Sequence, residues 1–355
     1  GGGVNRNLII NGAMQVAQRG TVTGITSGAN FGGPDRFAAG ITSHGTYAVS
    51  QSTTVPSGKG FPNSYKLDCT TADTSVASNA EVTIQHKFEG LNLQALRKGT
   101  SEAKPITATF YCRSNLTGTF TLEFFDNDNS RQCSKNFTIS SADTWEFKSI
   151  TFPADTTGAL GNDNLQSAVL VWWLAAGSDF TSGTQNTSAF ASNTNANRVS
   201  SSIVNMSSST DNEFLLTGVQ LEIGQNPTEF EHEPIGTTLK KCQRYLYQIT
   251  SNSSSDTIIG TGFSNNATDN QTTMHLPTTM RATPTLSASG FNVTDGNSYT
   301  VTGASIAINQ AESQTFGCSA VSCTITVSSG LTVLRPGQNR VTAGSSNFFR
   351  LDAEL

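Results

Sequence analysis

Charge is what this sequence has least of. Asp, Glu, Lys and Arg make up 13% of its 355 residues. With 21 Lys and Arg against 26 Asp and Glu, and no visible segregation of sign, the chain cannot offer the broad basic surface a nucleic acid requires. Long apolar runs are missing as well. The longest, AVLVWWLAA from Ala168 to Ala176, has about half of the roughly 20 residues a membrane-spanning helix needs. No charged leader followed by an apolar segment opens the sequence, so no cleavable secretory signal is expected. Gly1-Gly2-Gly3 superficially suggests N-myristoylation, but Asn5 stands where Ser or Thr belongs. A flexible lead-in, or a start exposed by removal of Met, is the better expectation.

Cysteine and histidine are also sparse. Cys69, Cys112, Cys133, Cys242, Cys318 and Cys323 form no CxxC pair, and four His are available to complete a zinc site. Free thiols in a protein assembled in a reducing cytosol are therefore expected. Cys318 and Cys323 are close enough in sequence to bridge a hairpin, and the sequence leaves that open.

What is present in quantity is uncharged polarity: Ser, Thr, Asn and Gly, the composition of β-rich extracellular or virion proteins. Disorder is disfavoured by 20 Phe and a net charge of only −5. The length suits two domains.

Period-two alternation dominates. KPITATFYCRS puts Ile106, Ala108, Phe110 and Cys112 on one face and Tyr111 and Arg113 on the other. GTFTLEFFD turns Phe120, Leu122 and Phe124 inward and Glu123 and Phe125 outward. With Gly118 in the turn, these two segments read as neighbouring antiparallel strands. EVTIQHKFEG, TWEFKSITF (stopped by Pro153), SAVLVWWLAAG and EFLLTGVQLEIG continue the series. Such a succession predicts an all-β sandwich or barrel. NLQALRKG, Asn92 to Gly99, is a short helical candidate. The stretch from Thr181 to Asp211 is almost wholly Ser, Thr, Asn and Ala and predicts a surface excursion with little core to offer.

Beyond Pro234 the pattern changes. TTLKKCQRYLYQ reads as a short amphipathic connector, with Leu239, Cys242 and Leu246 at helical spacing. Residues 251–355 hold DTIIGTGF, TPTLSASG, SYTVTG, CTITVS and FFRLDAEL, short strands poor in large apolar side chains. A domain of that size is marginal alone, and a three-fold assembly would bury more of its surface.

Several segments resemble a recurring family of tailed-bacteriophage structural proteins: NRNLIINGAMQVAQRGT with PDRF, FEGLNLQALRKGTSEAKPITATFYCRSNLTGTF, LTGVQLEIGQNPTEFEHEP, CQRYLYQ and the closing LDAEL. The resemblance implies a jelly-roll domain similar to carbohydrate-binding modules over residues 1–236, a connector over 237–250 and a C-terminal, trimerising β domain over 251–355. It further implies a fibre or appendage in the virion, attached to other virion proteins and touching host surface glycans. The connector residues Leu239, Cys242, Tyr245, Leu246 and Tyr247 then form an interdomain or intersubunit seam, where tyrosine supplies apolar area with a polar tip. A decoration or adaptor protein without sugar binding is the alternative, and a polysaccharide depolymerase a further one.

Sugar recognition on such modules rests on stacking aromatic rings bordered by polar groups. Trp172 and Trp173 point to opposite faces, so Trp173, Tyr111 and Phe125, with Arg113, are the candidate platform; ordinary packing is the competing reading for the double Trp. DNDNS begins like a calcium loop, with Asp126 and Asp128 as ligands, but Arg131 stands where a glycine helps and Phe137 holds the twelfth position. A polar hairpin turn is therefore the better expectation for this stretch, and a structural calcium elsewhere remains compatible with the resemblance. No cofactor is otherwise implied. Glu229, Glu231 and Glu233 are the densest acidic group, but they lie where the chain leaves the sandwich. His44, His86, His232 and His275 have no recognisable nucleophile beside them. No catalytic residue is assigned. Sequons such as Asn115 and Asn266 follow from composition and imply no glycosylation in a bacterial host.

Overall fold

The computed structural model describes residues 5–295, 300–314 and 317–355. The lead-in Gly1–Gly3 lies outside these residues, as do Ser298 and Tyr299 of the predicted strand SYTVTG. The chain divides into two compact units between Leu239 and Lys240.

The first unit is a sandwich of two antiparallel sheets. A six-stranded sheet runs in the order Val22–Ile25, Thr46–Ser52, Ser64–Thr71, Glu213–Ile223, Ile106–Ser114 and Glu146–Phe152. A seven-stranded sheet runs Ala191–Ser192, Arg131–Ile139, Gly118–Asp126, Gln166–Ala176, Glu81–Glu89, Phe37–Thr42 and Gly28–Phe31. The alternation read from the sequence determines the inner faces. Phe110 of the first sheet meets Trp172 of the second edge-on, ring centroids 5.8 Å apart, and both are fully buried.

One expected pairing fails. Ile106–Ser114 and Gly118–Asp126 are not neighbours; they lie in different sheets. Each carries large apolar residues on one face, and placing the strands in opposite layers brings Phe110 and Phe120 into the same core. Asn92–Gly99 forms two short 3₁₀ turns, Gly90–Asn92 and Gln94–Leu96, burying Leu93 and Leu96 and ending on the left-handed residue Arg97.

The second unit combines a three-stranded sheet with a closed barrel. The sheet runs Leu246–Thr250, Phe348–Asp352, Thr285–Ser289. The barrel runs Thr257–Ser264, Asp269–Met280, Gly317–Val327, Thr300–Gln314, Phe291–Asp295, Pro336–Val341. Closure removes the open strand edges that a small β domain would otherwise present. Three of these strands escaped the sequence reading, Asp269–Met280 among them. It contains Pro277, and its ladder with Gly317–Val327 breaks between His275 and Met280, as a residue without an N–H requires.

The predicted helical connector is cut short. Helix Ile235–Gln243 ends before Leu246, and Leu246 and Tyr247 belong to a strand paired with Phe348–Asp352. Backbone pairing with a β partner overrides the helical spacing of Leu239, Cys242 and Leu246 there. Cys242, Tyr245 and Leu246 are buried and Tyr247 is half-buried. All six cysteines, Cys318 and Cys323 included, are free and buried.

Candidate functional site

The predicted platform residues lie on opposite outer faces of the sandwich. Tyr111 and Arg113 stand on the six-stranded sheet, Trp173 and Phe125 on the seven-stranded one. No single ligand surface contains them all.

Trp173 does turn away from the main core, yet it is only 1% exposed. The polar excursion after Phe180 folds back over it and, with Phe180 and Val199, builds a second small core around Val169, Val171 and Trp173. Arg198 closes the arrangement. Its guanidinium lies 5.0 Å from the Trp173 ring centroid and 4.9 Å from that of Phe125, and it donates two hydrogen bonds of 2.8 Å to Glu123. Trp173 Nε1 donates to the same carboxylate at 2.9 Å. Burial drives the Glu81 carboxyl up, against the pull of Arg198 and with the push of Glu123. Trp173 and Phe125 are therefore packing residues, and the excursion contributes core after all. Composition concealed this, because only Arg198, Val199 and Ile203 of that stretch carry the contact.

DNDNS forms the expected polar turn of a hairpin, with Asp126 paired to Arg131 across the ladder, and the calcium candidate Asp126 is met by an internal cation. The Lys98 ammonium binds Asp126 and lies 3.0 Å from Asp155 Oδ2. It also donates to the carbonyls of Thr157 and Gly158, both at 2.9 Å. Two carboxylates and two carbonyls thus surround an ammonium, the oxygen set a metal would otherwise take. Arg131 grips Asp155 with two bonds of 2.9 Å. Burial raises the Asp155 carboxyl, but Arg131 and Lys98 outweigh it and hold it below the ordinary range. Asp128 accepts the Gly161 N–H at 2.7 Å. Among the described residues no cluster of three or more His, Cys, Asp or Glu side chains is placed to hold a metal.

Tyr111, by contrast, opens onto a groove of about 510 Å³ on the outer face of the six-stranded sheet. That volume falls in the range of ordinary ligand sites. Four aromatic side chains missed in the sequence gather there: Phe61, Phe147, Phe230 and His232. Phe147 is directly opposite Tyr111 on the edge strand, with ring centroids 5.1 Å apart. Phe61 follows Tyr111 at 5.7 Å, and Phe230 follows Phe61 at 4.9 Å. The His232 ring lies 5.3 Å from Phe61. Phe147 is 51% exposed, Tyr111 and Phe230 are half-buried, and Phe61 is the buried support.

Local backbone chemistry makes this row. Strand Glu213–Ile223 bulges between Thr217 and Gln220, and Gly218 there has a φ of +61°. A Cβ on Gly218 would come within 2.6 Å of the Phe61 ring, so only glycine lets Phe61 lie across the strand. The opposite wall, Pro227 to His232, is tied down from below. Glu222 accepts the Thr228 N–H at 2.8 Å, and Gln220 Oε1 accepts the Glu231 N–H at 2.8 Å. Glu231 in turn accepts the N–H groups of Asn5 and Asn7, at 2.7 and 3.0 Å. Burial raises the Glu231 carboxyl, but these donors and the Arg6 charge overcome it, and it sits low. The middle member of the acidic triplet is thus a structural tie, held charged.

Glu213 behaves alike. Burial raises it, while Lys66 and Arg113 bring it below the usual carboxylate range. For both groups the folded pKa lies under the unfolded one. Their stabilisation is complete above the ordinary Glu value of about 4.3 and is lost as pH falls through the depressed folded values. Unfolding midpoints are expected to drop on acidification below about pH 4. Glu231→Gln should start lower at neutral pH and fall less; an identical acid slope would remove Glu231 from this role.

No protein-family model matches this chain, and no curated protein matches it. Solved structures do. The enzymatically active domain of tailspike protein 4 of bacteriophage CBA120 is 12% identical, over 61% of this chain and 21% of its own, with a TM-score of 0.31. TmCBM61 in complex with β-1,4-galactotriose is 6% identical, over 62% of this chain and 99% of its own, with a TM-score of 0.32. A family 11 carbohydrate-binding module from Clostridium thermocellum, in complex with a β-1,3-1,4-mixed-linked tetrasaccharide, is 10% identical, over 59% and 98%, with a TM-score of 0.28. This chain accordingly spans about a fifth of the tailspike domain's length. The sandwich itself is defined by the strand order and pairing above.

Proposed function

We propose that this chain is a surface protein of a bacteriophage virion, a tail or head fibre or appendage, that holds host glycans in the groove beside Tyr111. The observation that supports the glycan part of this reading is the row of aromatic rings on the outer sheet face, ending in the half-exposed Phe147; the virion part rests on the sequence resemblance. Rings presented this way stack on the apolar faces of sugars, while neighbouring hydroxyl and amide groups bond the sugar hydroxyls. Adhesion of this kind needs no catalysis. Weak sites repeated on one particle gain strength through avidity, and a homotrimer built through the C-terminal β unit, joined to other virion proteins, supplies the repeats. Of the predicted seam residues, Leu239 and Tyr247 keep exposed surface and would take part in the seam of that assembly, whereas Cys242, Tyr245 and Leu246 are already buried in the single chain. Free buried thiols suit assembly in a reducing host cytoplasm.

Immunogold labelling of intact virions with an antibody against residues 1–236 tests the placement. Gold on the tail or its fibres supports adsorption to the host. Gold scattered over the head supports a head fibre or decoration. Particles that stay unlabelled, intact and opened, would refute the virion reading.

A further inference from the structure

The charges around the groove identify the kind of glycan it takes, an inference that rests on the glycan reading above. Two residues along the strand from Tyr111 and on the same face, Arg113 looks like a ready ligand for a carboxylate or sulfate, yet it is already paired within the protein. Nε donates to the Asp143 carbonyl at 3.0 Å, NH2 to Asp143 Oδ1 at 2.8 Å and NH1 to Glu213 Oε1 at 2.5 Å. Three of its five N–H donors therefore already have acceptors, and two of those acceptors are carboxylate oxygens that offset its charge toward an anionic ligand. Lys66 is held similarly, 2.8 Å from Glu213 Oε2 and 3.4 Å from Asp68 Oδ1.

The groove lining itself contributes Lys59 and Glu229, one charge of each sign, besides His232. A chain with an acid on every repeat would bring carboxylates against Glu229 as well as Lys59, and would lose their hydration with a single lysine to pair with. The formal charge of −5 on the whole chain adds long-range repulsion. The floor, by contrast, offers Thr109 and the Tyr111 hydroxyl beside apolar rings. We propose that the groove takes an uncharged polysaccharide, lying across the strands rather than along them. The direction follows from the rings: Phe147 and Tyr111 are cross-strand partners, and Phe61 continues the same line over Gly218. Because Phe147 sits on the edge strand, half in solvent, the groove is open at that end and accepts an internal segment of a chain.

The test is affinity electrophoresis of the full chain through gels containing neutral polymers (mixed-linkage β-glucan, β-1,4-galactan, xylan) or acidic ones (alginate, heparin), at low and high salt. Retardation by a neutral polymer is expected, lost in Phe147→Ala and changing less than about twofold between the salt conditions. Retardation by alginate or heparin that collapses about tenfold or more with salt would overturn the neutral-ligand inference and leave glycan binding standing. No retardation by either class would overturn the glycan reading and this inference with it.

Discussion

Replacing Arg198 by Ala is expected to destabilise the first unit by about 3–5 kcal/mol. The reason is what it leaves behind. Glu123 has no exposure, and its two strongest partners are the 2.8 Å bonds from Arg198. With the guanidinium gone, a buried carboxylate keeps only the Trp173 N–H and must either stay charged in an apolar pocket or take up a proton. In a unit of this size each kcal/mol moves the midpoint by roughly 2–4 °C, so a fall of about 6–20 °C follows. Removing both charges together, as in Glu123→Leu with Arg198→Met, is expected to recover much of the loss, because no orphan charge remains. A drop of less than about 1 kcal/mol in Arg198→Ala would mean the excursion is a surface flap and Trp173 is not sealed by it.

Tyr111→Ala should carry the largest functional effect. Truncating a central aromatic anchor in a packed site costs about 2 kcal/mol or more, roughly a thirtyfold loss of affinity for a groove-bound glycan. Tyr111 stands between Phe147 and Phe61, so its removal breaks the row at its middle. The measurement is a titration of a neutral polysaccharide against wild type and variant, with midpoints of unfolding recorded alongside. Tyr111 is half-buried on the outer face, so the midpoint should move far less than in Arg198→Ala. Trp173→Phe provides the contrast: with its ring sealed beneath the excursion, affinity should stay unchanged. A variant pattern in the reverse order would return the binding surface to the seven-stranded sheet.

How much of this could be read in the sequence follows from the range over which each signal acts. Alternation is local, and it placed Tyr111, Arg113, Glu123 and Phe125 on the correct faces of their strands. It also separated Trp172 from Trp173. It could not say which sheet a strand joins, because pairing depends on partners far along the chain. Hence Ile106–Ser114 and Gly118–Asp126 were read as one hairpin although they face each other across the core. The same blindness put Tyr111 and Trp173 on one platform.

Burial by a loop is equally non-local. Thr181 to Asp211 looks empty of core in composition, and only contact with a distant strand shows that Val199 and Arg198 cover Trp173. The groove residues were missed for a related reason. Phe61, Phe147, Phe230 and His232 come from three separate segments and meet only when Gly218 allows Phe61 across the sheet. Two signals did point there: Phe147 alternates with Ile150 and Phe152 on the opposite face of its strand, and Phe230 and His232 follow a proline that ends the sheet. In the sequence Lys98 is one half of an Arg97-Lys98 pair next to a glycine; only the structure shows its ammonium between Asp126 and Asp155, where an ion at Asp126 would sit.

The central claim is that the working surface of this protein is the outer face of the six-stranded sheet. Hydrogen exchange of the full chain, followed by mass spectrometry with and without a retained polysaccharide, addresses it most directly. Protection is predicted in peptides covering residues 58–63, 107–113, 145–151 and 225–233, with no change over 168–176 and 178–203. Protection confined to 168–203, or spread over the second unit alone, would contradict it.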